Sequence, residues 1–178
     1  MRMVYKEFKL KDGCTVTLDF LKEEDLPEVV DALNSVIREG IYLAHDEEIV
    51  DMELERKWYQ DHMKTGMSYL VARVDGKVVG GASIEPGRGK FSHTAVYGIF
   101  IKDGFRNMGI GTQLTYALIE IARQRGFEIL ELSVFGANKW AHHVYKKCGF
   151  KDVGRIERGV KMLDGTYTDN VILTFSLK

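Results

Sequence analysis

The stretch RNMGIG, residues 106–111, separates an apolar run, VYGIFI, from a long amphipathic run that begins at Thr112. The first run is typical of a buried strand, and the second places apolar side chains at helical spacing. A strand that passes into a helix through small residues leaves backbone N–H groups unpaired, next to the positive end of the helix dipole. Such a turn binds anions, above all phosphates. The stretch therefore predicts a phosphate-binding turn.

Two common phosphate-binding motifs fit this turn poorly. A Walker loop ends in Gly-Lys-Ser/Thr, whereas Gly111 is followed here by Thr-Gln and no lysine. A dinucleotide-binding fingerprint has a third glycine three residues further on, where Leu114 stands. The pattern that fits is Arg/Gln-x-x-Gly-x-Gly, which Arg106, Gly109 and Gly111 satisfy.

The first half of the chain contains two predicted hairpins and two predicted helices. Turn residues at 11–13 and 75–76 each separate two β-like segments. Apolar residues at helical spacing predict a helix over 23–38, with Gly40 as its stop. A second helix is predicted over 51–64.

The second half predicts a crossover from strand to helix to strand, over 93–101, 112–126 and 128–135. A crossover of this kind makes its two strands parallel. A short helix follows over 138–148, and two or three further strands surround a turn at 164–165. These elements predict an α+β fold: one mixed, mostly antiparallel twisted sheet with helices on both faces.

Composition restricts the class of protein. The 178 residues are 45% hydrophobic and 29% charged, which suits a single globular domain over residues 1–178. A formal net charge of −1 creates no general attraction to nucleic acid or an anionic membrane, so neither partner is predicted. The N-terminal residues lack the apolar region of a signal peptide, and two cysteines are too few for a disulfide framework. We therefore expect a cytoplasmic protein.

A second motif lies one helix and one strand after the glycine turn. In NKWAHHVYKKCGF, Asn138, Ala141 and Tyr145 are spaced to share one helix face, and Gly149-Phe150 follows. With the glycine turn, this pattern resembles the GNAT N-acetyltransferase superfamily, and the resemblance spans nearly the whole chain. Asn107 stands where many relatives carry glycine, but asparagine tolerates a left-handed backbone, so the turn should keep its form.

The resemblance implies that the chain transfers an acetyl group from acetyl-CoA to a primary amine of a small molecule or a protein N-terminus. In that family the glycine turn binds the pyrophosphate of CoA. The end of the preceding strand hydrogen-bonds the pantetheine, and Asn138 is implied to do the same. The implied cofactor-binding residues are Ile99, Phe100, Ile101, Arg106, Asn107, Met108, Gly109, Ile110, Gly111, Thr112 and Asn138.

The resemblance also implies proton-transfer roles. Tyr145 would lie near the sulfur of CoA as general acid, because an ordinary phenol has a pKa of about 10, close to that of a thiol. Many relatives carry a glutamate base on the strand before the glycine turn, but Val96 occupies that place. His93 is our candidate base, since histidine titrates near neutral pH. Tyr97 and Glu85 are the other titratable groups nearby, and the amine could instead arrive deprotonated.

Other hypotheses stay open at this level. A module that binds CoA without catalysis would explain the missing strand carboxylate, and a nucleotide-binding protein could use the same turn. His142-His143 has no third ligand in sequence range, so no metal is predicted. Acidic residues within 44–53 either attract a cationic amine or stabilise a helix dipole. The loops at 38–50 and 158–170 decide whether the acceptor site is a pocket or a groove, and the resemblance also allows a homodimer.

Overall fold

The computed structural model describes residues 4–178, which form one sheet of eight strands and four α-helices. The strands are β1 (Val4–Lys9), β2 (Thr15–Phe20), β3 (Ser68–Val74), β4 (Lys77–Pro86), β5 (Thr94–Ile101), β6 (Ile129–Phe135), β7 (Lys151–Lys161) and β8 (Tyr167–Ser176). The helices are α1 (Leu26–Ile37), α2 (Met52–Lys64), α3 (Ile110–Gln124) and α4 (Lys139–Lys147).

The strands lie in the order β1-β2-β3-β4-β5-β6-β8-β7. Every neighbouring pair is antiparallel except β5 and β6, which are parallel, as the crossover predicts. The predicted α+β fold with a mixed, mostly antiparallel sheet is confirmed. The tail forms two strands, of which the later one, β8, inserts between β6 and β7.

The helices cover both faces of the sheet, and each face has its own hydrophobic core. On one face α3 buries Leu114 and Leu118 completely, in the same cluster as Tyr145 of α4. On the other face α1 buries Leu26 and Val36 in a second cluster, against which α2 packs with half-buried side chains. No helix within residues 4–178 has the length and apolar character needed to cross a membrane.

The two parallel strands diverge soon after they meet. β5 pairs with β6 only over Thr94–Val96, opposite Ile129–Glu131. Beyond that point β5 continues to pair with β4 on its other side, up to Ile101 opposite Gly80. Within the described chain, residues 99–101 therefore present one backbone edge to an opening in the sheet.

The glycine turn follows directly from this open edge. Asn107 and Gly109 both adopt left-handed backbone conformations, with φ of 63° and 89°. These conformations suit asparagine and glycine better than other residues, so the prediction for Asn107 is confirmed. Helix α3 begins at Ile110, two residues before the predicted start at 112, because the left-handed Gly109 already ends the turn.

Candidate active site

The opening between β5 and β6 widens into a cavity of about 600 Å³. Its walls come from the end of β5, the glycine turn, the start of α3, the end of β6, α4 and the segment that follows α1. The cavity brings together most of the implied cofactor-binding residues. Those that line it are Ile99, Phe100, Ile101, Arg106, Asn107, Gly109, Gly111, Thr112 and Asn138, together with Tyr145.

The N-terminus of α3 faces the cavity with its backbone. Met108 and Ile110 direct their side chains into the core instead, so only their backbone groups could serve a ligand. Among the described residues no side chain caps α3, which leaves its first N–H groups unpaired. A Cβ at Gly111 would lie 3.6 Å from Cδ1 of Ile99, an ordinary contact. The protein thus has room for alanine at 111, and the glycine instead suits the close approach of a ligand.

The Arg106 guanidinium is held by protein groups. Its Nη1 donates to Oε2 of Glu39 at 2.7 Å, and its Nε donates to the carbonyl oxygen of Ile101 at 2.9 Å. It also lies over the ring of Tyr42, with 4.4 Å between Cζ and the ring centroid. Arg106 therefore joins the glycine turn to the segment after α1, which leaves its backbone rather than its side chain for a cofactor.

Asn138 has a structural task as well. Its Oδ1 accepts a hydrogen bond from the backbone N–H of Ala141 at 3.1 Å and so caps α4. Its amide nitrogen remains for a ligand in the cavity, which Ala141 and Tyr145 also line. The shared face predicted for these three residues is thus present, although Asn138 precedes the helix.

Tyr145 lies at the inner wall of the cavity and is only 7% exposed. The centroid of its ring lies 6.0 Å from the ring centroids of both Tyr97 and Phe150. Burial, with a smaller contribution from Cys148, raises the pKa of Tyr145 well above that of an ordinary phenol, so the hydroxyl keeps its proton. Within residues 4–178 this hydroxyl has no hydrogen-bond partner. It is therefore a donor available to a ligand.

A buried hydrogen-bonded chain fixes the start of α3 against β5. The Thr115 hydroxyl donates to the carbonyl oxygen of Gly111 at 2.7 Å. Its oxygen lies 2.9 Å from the Tyr97 hydroxyl, which must then be the donor because threonine has a single proton to give. This chain holds Gly111 at a set distance from the strand edge.

His93 lies at the wrong end of β5 for a general base. It is exposed and precedes the first residue of the strand, whereas the cavity begins at Tyr97 and Gly98. Gly98 lies five residue steps along the chain from His93, a distance of roughly 16 Å. The structure thus corrects our choice of His93.

A carboxylate that we did not select lies closer. Glu85 on β4 is the direct partner of Val96 in the β4–β5 register, and Ser83 is the partner of Gly98. Cross-strand partners project from the same face with Cβ atoms about 5 Å apart. The Glu85 carboxylate also lies 3.5 Å from Nε2 of His62 on α2. The sequence already places Glu85 among the nearby titratable groups, but only the strand register shows that it lies opposite Val96.

A second cavity of about 360 Å³ adjoins the first. The two share Leu43, Ala44, Ser133 and Phe135 in their walls. The remaining walls of the second cavity come from the loop after α1 and the end of the β7–β8 hairpin, the two segments that we expected to shape the acceptor site. Asn170 of β8 also lines it.

The consecutive histidines 142 and 143 have no metal-binding surroundings. Nε2 of His142 lies 3.0 Å from Oδ1 of Asp152. Across residues 4–178, no three His, Cys, Asp or Glu side chains are grouped closely enough to hold a metal ion.

Comparison with known proteins agrees with this geometry. Residues 33–150, more than half of the chain, match the model of the acetyltransferase (GNAT) family. YwnH of Bacillus subtilis, named a candidate phosphinothricin acetyltransferase, is 31% identical over 89% of this chain and 97% of its own length. The L-methionine sulfoximine/L-methionine sulfone acetyltransferase of Pseudomonas aeruginosa is 28% identical over 74% of this chain and 78% of its own.

A solved structure shows the same fold. It is that of yncA, a candidate acetyltransferase from Salmonella typhimurium with its cofactor acetyl-CoA. It superposes with a TM-score of 0.82 at 22% identity and covers 92% of this chain and 94% of that one. The chain therefore belongs to the GNAT acetyltransferase family and is an acetyl-CoA-dependent N-acetyltransferase.

Proposed function

We propose that this enzyme acetylates the primary amine of a small molecule of the amino-acid class, by direct attack of the amine on acetyl-CoA. One observation carries the proposal: a single cavity has the open N-terminus of α3 at one side and the free Tyr145 hydroxyl at another. The strand edge 99–101 lies on the same cavity wall. These three features match the three parts of the cosubstrate, its diphosphate, pantetheine arm and thioester.

The residues present fit CoA. Backbone N–H groups over 107–112 would bind the diphosphate, assisted by the dipole of α3. Gly111 lets the ligand approach the backbone closely. The edge of β5 at 99–101 and the amide nitrogen of Asn138 would hydrogen-bond the pantetheine as an added strand would. Bound acetyl-CoA supplies an acyl group that is already activated.

Tyr145 would protonate or hydrogen-bond the departing sulfur. Because burial keeps the phenol protonated, the group that donates is present at every pH at which the enzyme is expected to work. The raised pKa also makes Tyr145 a weaker acid than an ordinary phenol. A strong hydrogen bond to the developing thiolate is therefore the larger part of its contribution.

Glu85 replaces His93 as our proposed proton acceptor. Its position opposite Val96 places a carboxylate beside the site that a glutamate on β5 would occupy. Gly98, two residues further along β5, lines the cavity and has no side chain to obstruct a water molecule between Glu85 and the amine. The His62 ring beside Glu85 helps to orient the carboxylate.

The second cavity is our proposed acceptor site. A cavity of about 360 Å³ takes a small molecule, and a small acceptor agrees with relatives named for an amino-acid analogue and for L-amino acids. For the same reason we favour a small molecule over a protein N-terminus. A cytoplasmic location and a homodimer stay predictions.

The proposal is tested by measuring thiol release from acetyl-CoA with a panel of amino acids, amino-acid analogues, polyamines and N-terminal peptides. We expect turnover with members of the amino-acid class and little with peptides. Binding of CoA without turnover on any amine would instead support the alternative, a CoA-binding module. Displacement of CoA by ATP or NAD would indicate a nucleotide-binding protein.

A further inference from the structure

Helix α2 turns an unpaired carboxylate toward the sheet. Glu55 is half-buried on the inner face of the helix, whereas the neighbouring Leu54 is 66% exposed. Within residues 4–178 no hydrogen bond or ion pair reaches the Glu55 carboxylate. Burial raises the pKa of Glu55, although His45 and His62 oppose the shift. A carboxylate that is partly removed from water costs free energy unless it is paired, so its position indicates a partner from outside the chain.

The Tyr69 hydroxyl lies near this carboxylate. The pKa of Tyr69 is raised by burial and, to a smaller extent, by the charge of Glu55. The hydroxyl oxygen lies over Gly81, 2.8 Å from the position that a Cβ there would take, and beside the Phe100 ring. It has no hydrogen-bond partner within residues 4–178, yet it is not sealed from solvent. A ligand can therefore reach two neighbouring polar groups that the protein leaves unused.

These two groups lie at one end of a groove between α2 and the sheet, the α2 groove, which is bordered by Glu55, His62, Ser83, Glu85 and Gly98. Ser83 is the cross-strand partner of both Tyr69 and Gly98, so these three residues share one face of the sheet. Tyr69 belongs to the core on which α2 packs. The helix leaves Gly98 exposed and Ser83 and Glu85 half-buried. Gly98 also lines the first cavity, so the groove opens into that cavity.

Glu85 and the Tyr69 hydroxyl lie on opposite sides of the row that Ser83 and Gly98 form. Glu85 follows Ser83 by two residues on β4, while the hydroxyl lies over Gly81, two residues before it. Four residues of strand span about 13 Å, so one nitrogen atom cannot contact both the Glu85 carboxylate and the Tyr69 hydroxyl. Glu85 thus serves the amine that reacts beside Gly98, and Glu55 and Tyr69 meet a different part of the acceptor.

The charges of the groove favour a cation. Two of its bordering residues are carboxylates, and none is lysine or arginine. The His62 ring is already engaged, since its Nδ1 lies 2.8 Å from the carbonyl oxygen of Trp58 and its Nε2 lies 3.5 Å from the Glu85 carboxylate. A primary ammonium group has three donors and a compact charge, which suit a carboxylate beside a hydroxyl. A carboxylate or an apolar group of the acceptor would fit less well there.

We propose that Glu55 and Tyr69 bind a second ammonium group of the acceptor, so that the preferred substrates are diamino acids such as L-ornithine and L-lysine. This inference rests on the proposed function and narrows its substrate class. One amine reacts beside Gly98, the other reaches Glu55 along the groove, and the second cavity remains for the rest of the molecule. A site built to pair with a polar substrate group rejects an analogue without it, because the protein group then stays unpaired.

Matched amino acids test the inference. L-ornithine and L-norvaline differ only in a terminal amino group, as do L-lysine and L-norleucine. We expect kcat/KM to favour the diamino member of each pair by at least about tenfold. Glu55→Gln keeps the shape of the side chain without its charge and should reduce each ratio to about one. Tyr69→Phe should reduce the ratios less. Glu53→Gln, which changes an exposed carboxylate on the same helix, is the matched control and should keep the wild-type ratios.

The apolar member of each pair separates binding from folding. Turnover of L-norvaline should change little in Glu55→Gln, and the melting temperature should stay the same or rise, because the free protein gives this carboxylate no partner. Equal kcat/KM for both members in the wild type, a preference that survives in Glu55→Gln, or an equal loss for both members overturns the inference. Turnover of other amino acids but of no diamino acid also overturns it, and each of these results leaves the proposed function intact. Binding of CoA with no turnover of any amine overturns both.

Discussion

Glu85 and Val96 are direct cross-strand partners, so the Glu85 carboxylate lies one strand away from the position on β5 where the resemblance led us to expect a glutamate. The reaction can thus keep a proton acceptor although β5 has no acidic side chain. Nε2 of His62, on α2, lies 3.5 Å from the Glu85 carboxylate. Helix α2 covers the same face of the sheet as the Phe100 side chain.

Glu85→Gln should lower kcat at neutral pH by about 10²-fold or more, the lower end of the range for loss of a general base. The loss should shrink as the pH approaches the pKa of the acceptor amine, because an amine that is already neutral needs no base. A pH profile of kcat for both proteins checks this, with the exposed Glu24→Gln as a control. An equal loss at all pH values would show that Glu85 acts in some other way.

Tyr145→Phe should lower kcat by about 10²-fold, within the usual range for a general acid, while the affinity for CoA changes little. The folded protein should stay equally stable because the hydroxyl has no partner in residues 4–178. Since burial raises the pKa of Tyr145, wild-type activity should show no loss from ionisation of this phenol below about pH 10.

Steady-state kinetics and calorimetry separate these effects. Tyr59→Phe is a suitable control because the Tyr59 hydroxyl lies outside the cavity, 3.4 Å from the carbonyl oxygen of Leu21. A Tyr145→Phe protein that keeps its full kcat would exclude the phenol from the reaction.

Glu39→Gln should raise KM for the acceptor several-fold, by about 1 kcal/mol, and leave the affinity for CoA nearly unchanged. Glu39 holds Arg106 and begins the segment whose residues Tyr42, Leu43 and Ala44 line the cavity. Glu48→Gln, which removes the exposed partner of Arg38, is the matched control. Tighter binding of CoA to Glu39→Gln would mean instead that a released Arg106 reaches the diphosphate.

Arg73→Met should destabilise the fold by about 3–5 kcal/mol, the usual loss when one partner of a buried ion pair is removed. Arg73 is 5% exposed and donates to Asp25 at 2.9 Å and to Glu28 at 2.7 Å. Urea denaturation checks the change in unfolding free energy. Arg38→Met breaks an exposed pair and should cost less than about 1 kcal/mol. Similar losses for both variants would contradict a buried network.

The same network predicts acid sensitivity. Burial works against the charged form of Glu28, but hydrogen bonds from the Val78 N–H and from Arg73 outweigh it and lower the pKa. Because the pKa of Glu28 is lower in the folded state, this stabilisation is complete at pH values above the pKa of an unfolded glutamate, about 4.3. It is lost as the pH falls through the lower pKa of Glu28 in the folded protein. Glu28→Gln should therefore flatten the fall in stability below about pH 4.3.

Local chemistry explains how much of the fold was predictable. Apolar spacing and turn residues gave the helices and hairpins, because these signals depend on near neighbours. The prediction for Asn107 combined the resemblance, in which glycine is common at this position, with the tolerance of asparagine for a left-handed backbone. In contrast, the insertion of β8 beside β6, the Glu85–Val96 register and the Arg106–Glu39 contact join distant parts of the chain. They depend on how the sheet assembles, which no short stretch encodes.

The active site likewise contains features that have a local sequence signal and features that do not. The glycine turn and the face of Tyr145 were found because their spacing is local. His93 was chosen from its chemistry and proved to lie at the far end of β5, since side-chain type gives no position along a strand.

We propose that the backbone of the glycine turn binds the diphosphate of CoA, and calorimetric titration of CoA into Gly111→Ala is the sharpest test of this role. Alanine fits the free protein and favours a helix over glycine by about 0.5–1 kcal/mol, so the variant should be at least as stable as the wild type. Its Cβ should nonetheless obstruct the ligand. We expect the Kd for CoA to rise by about tenfold or more, equivalent to about 1.4 kcal/mol, and to stay unchanged in Gly154→Ala, a control on β7. An unchanged Kd in the stable Gly111→Ala protein would show that the turn does not bind the diphosphate.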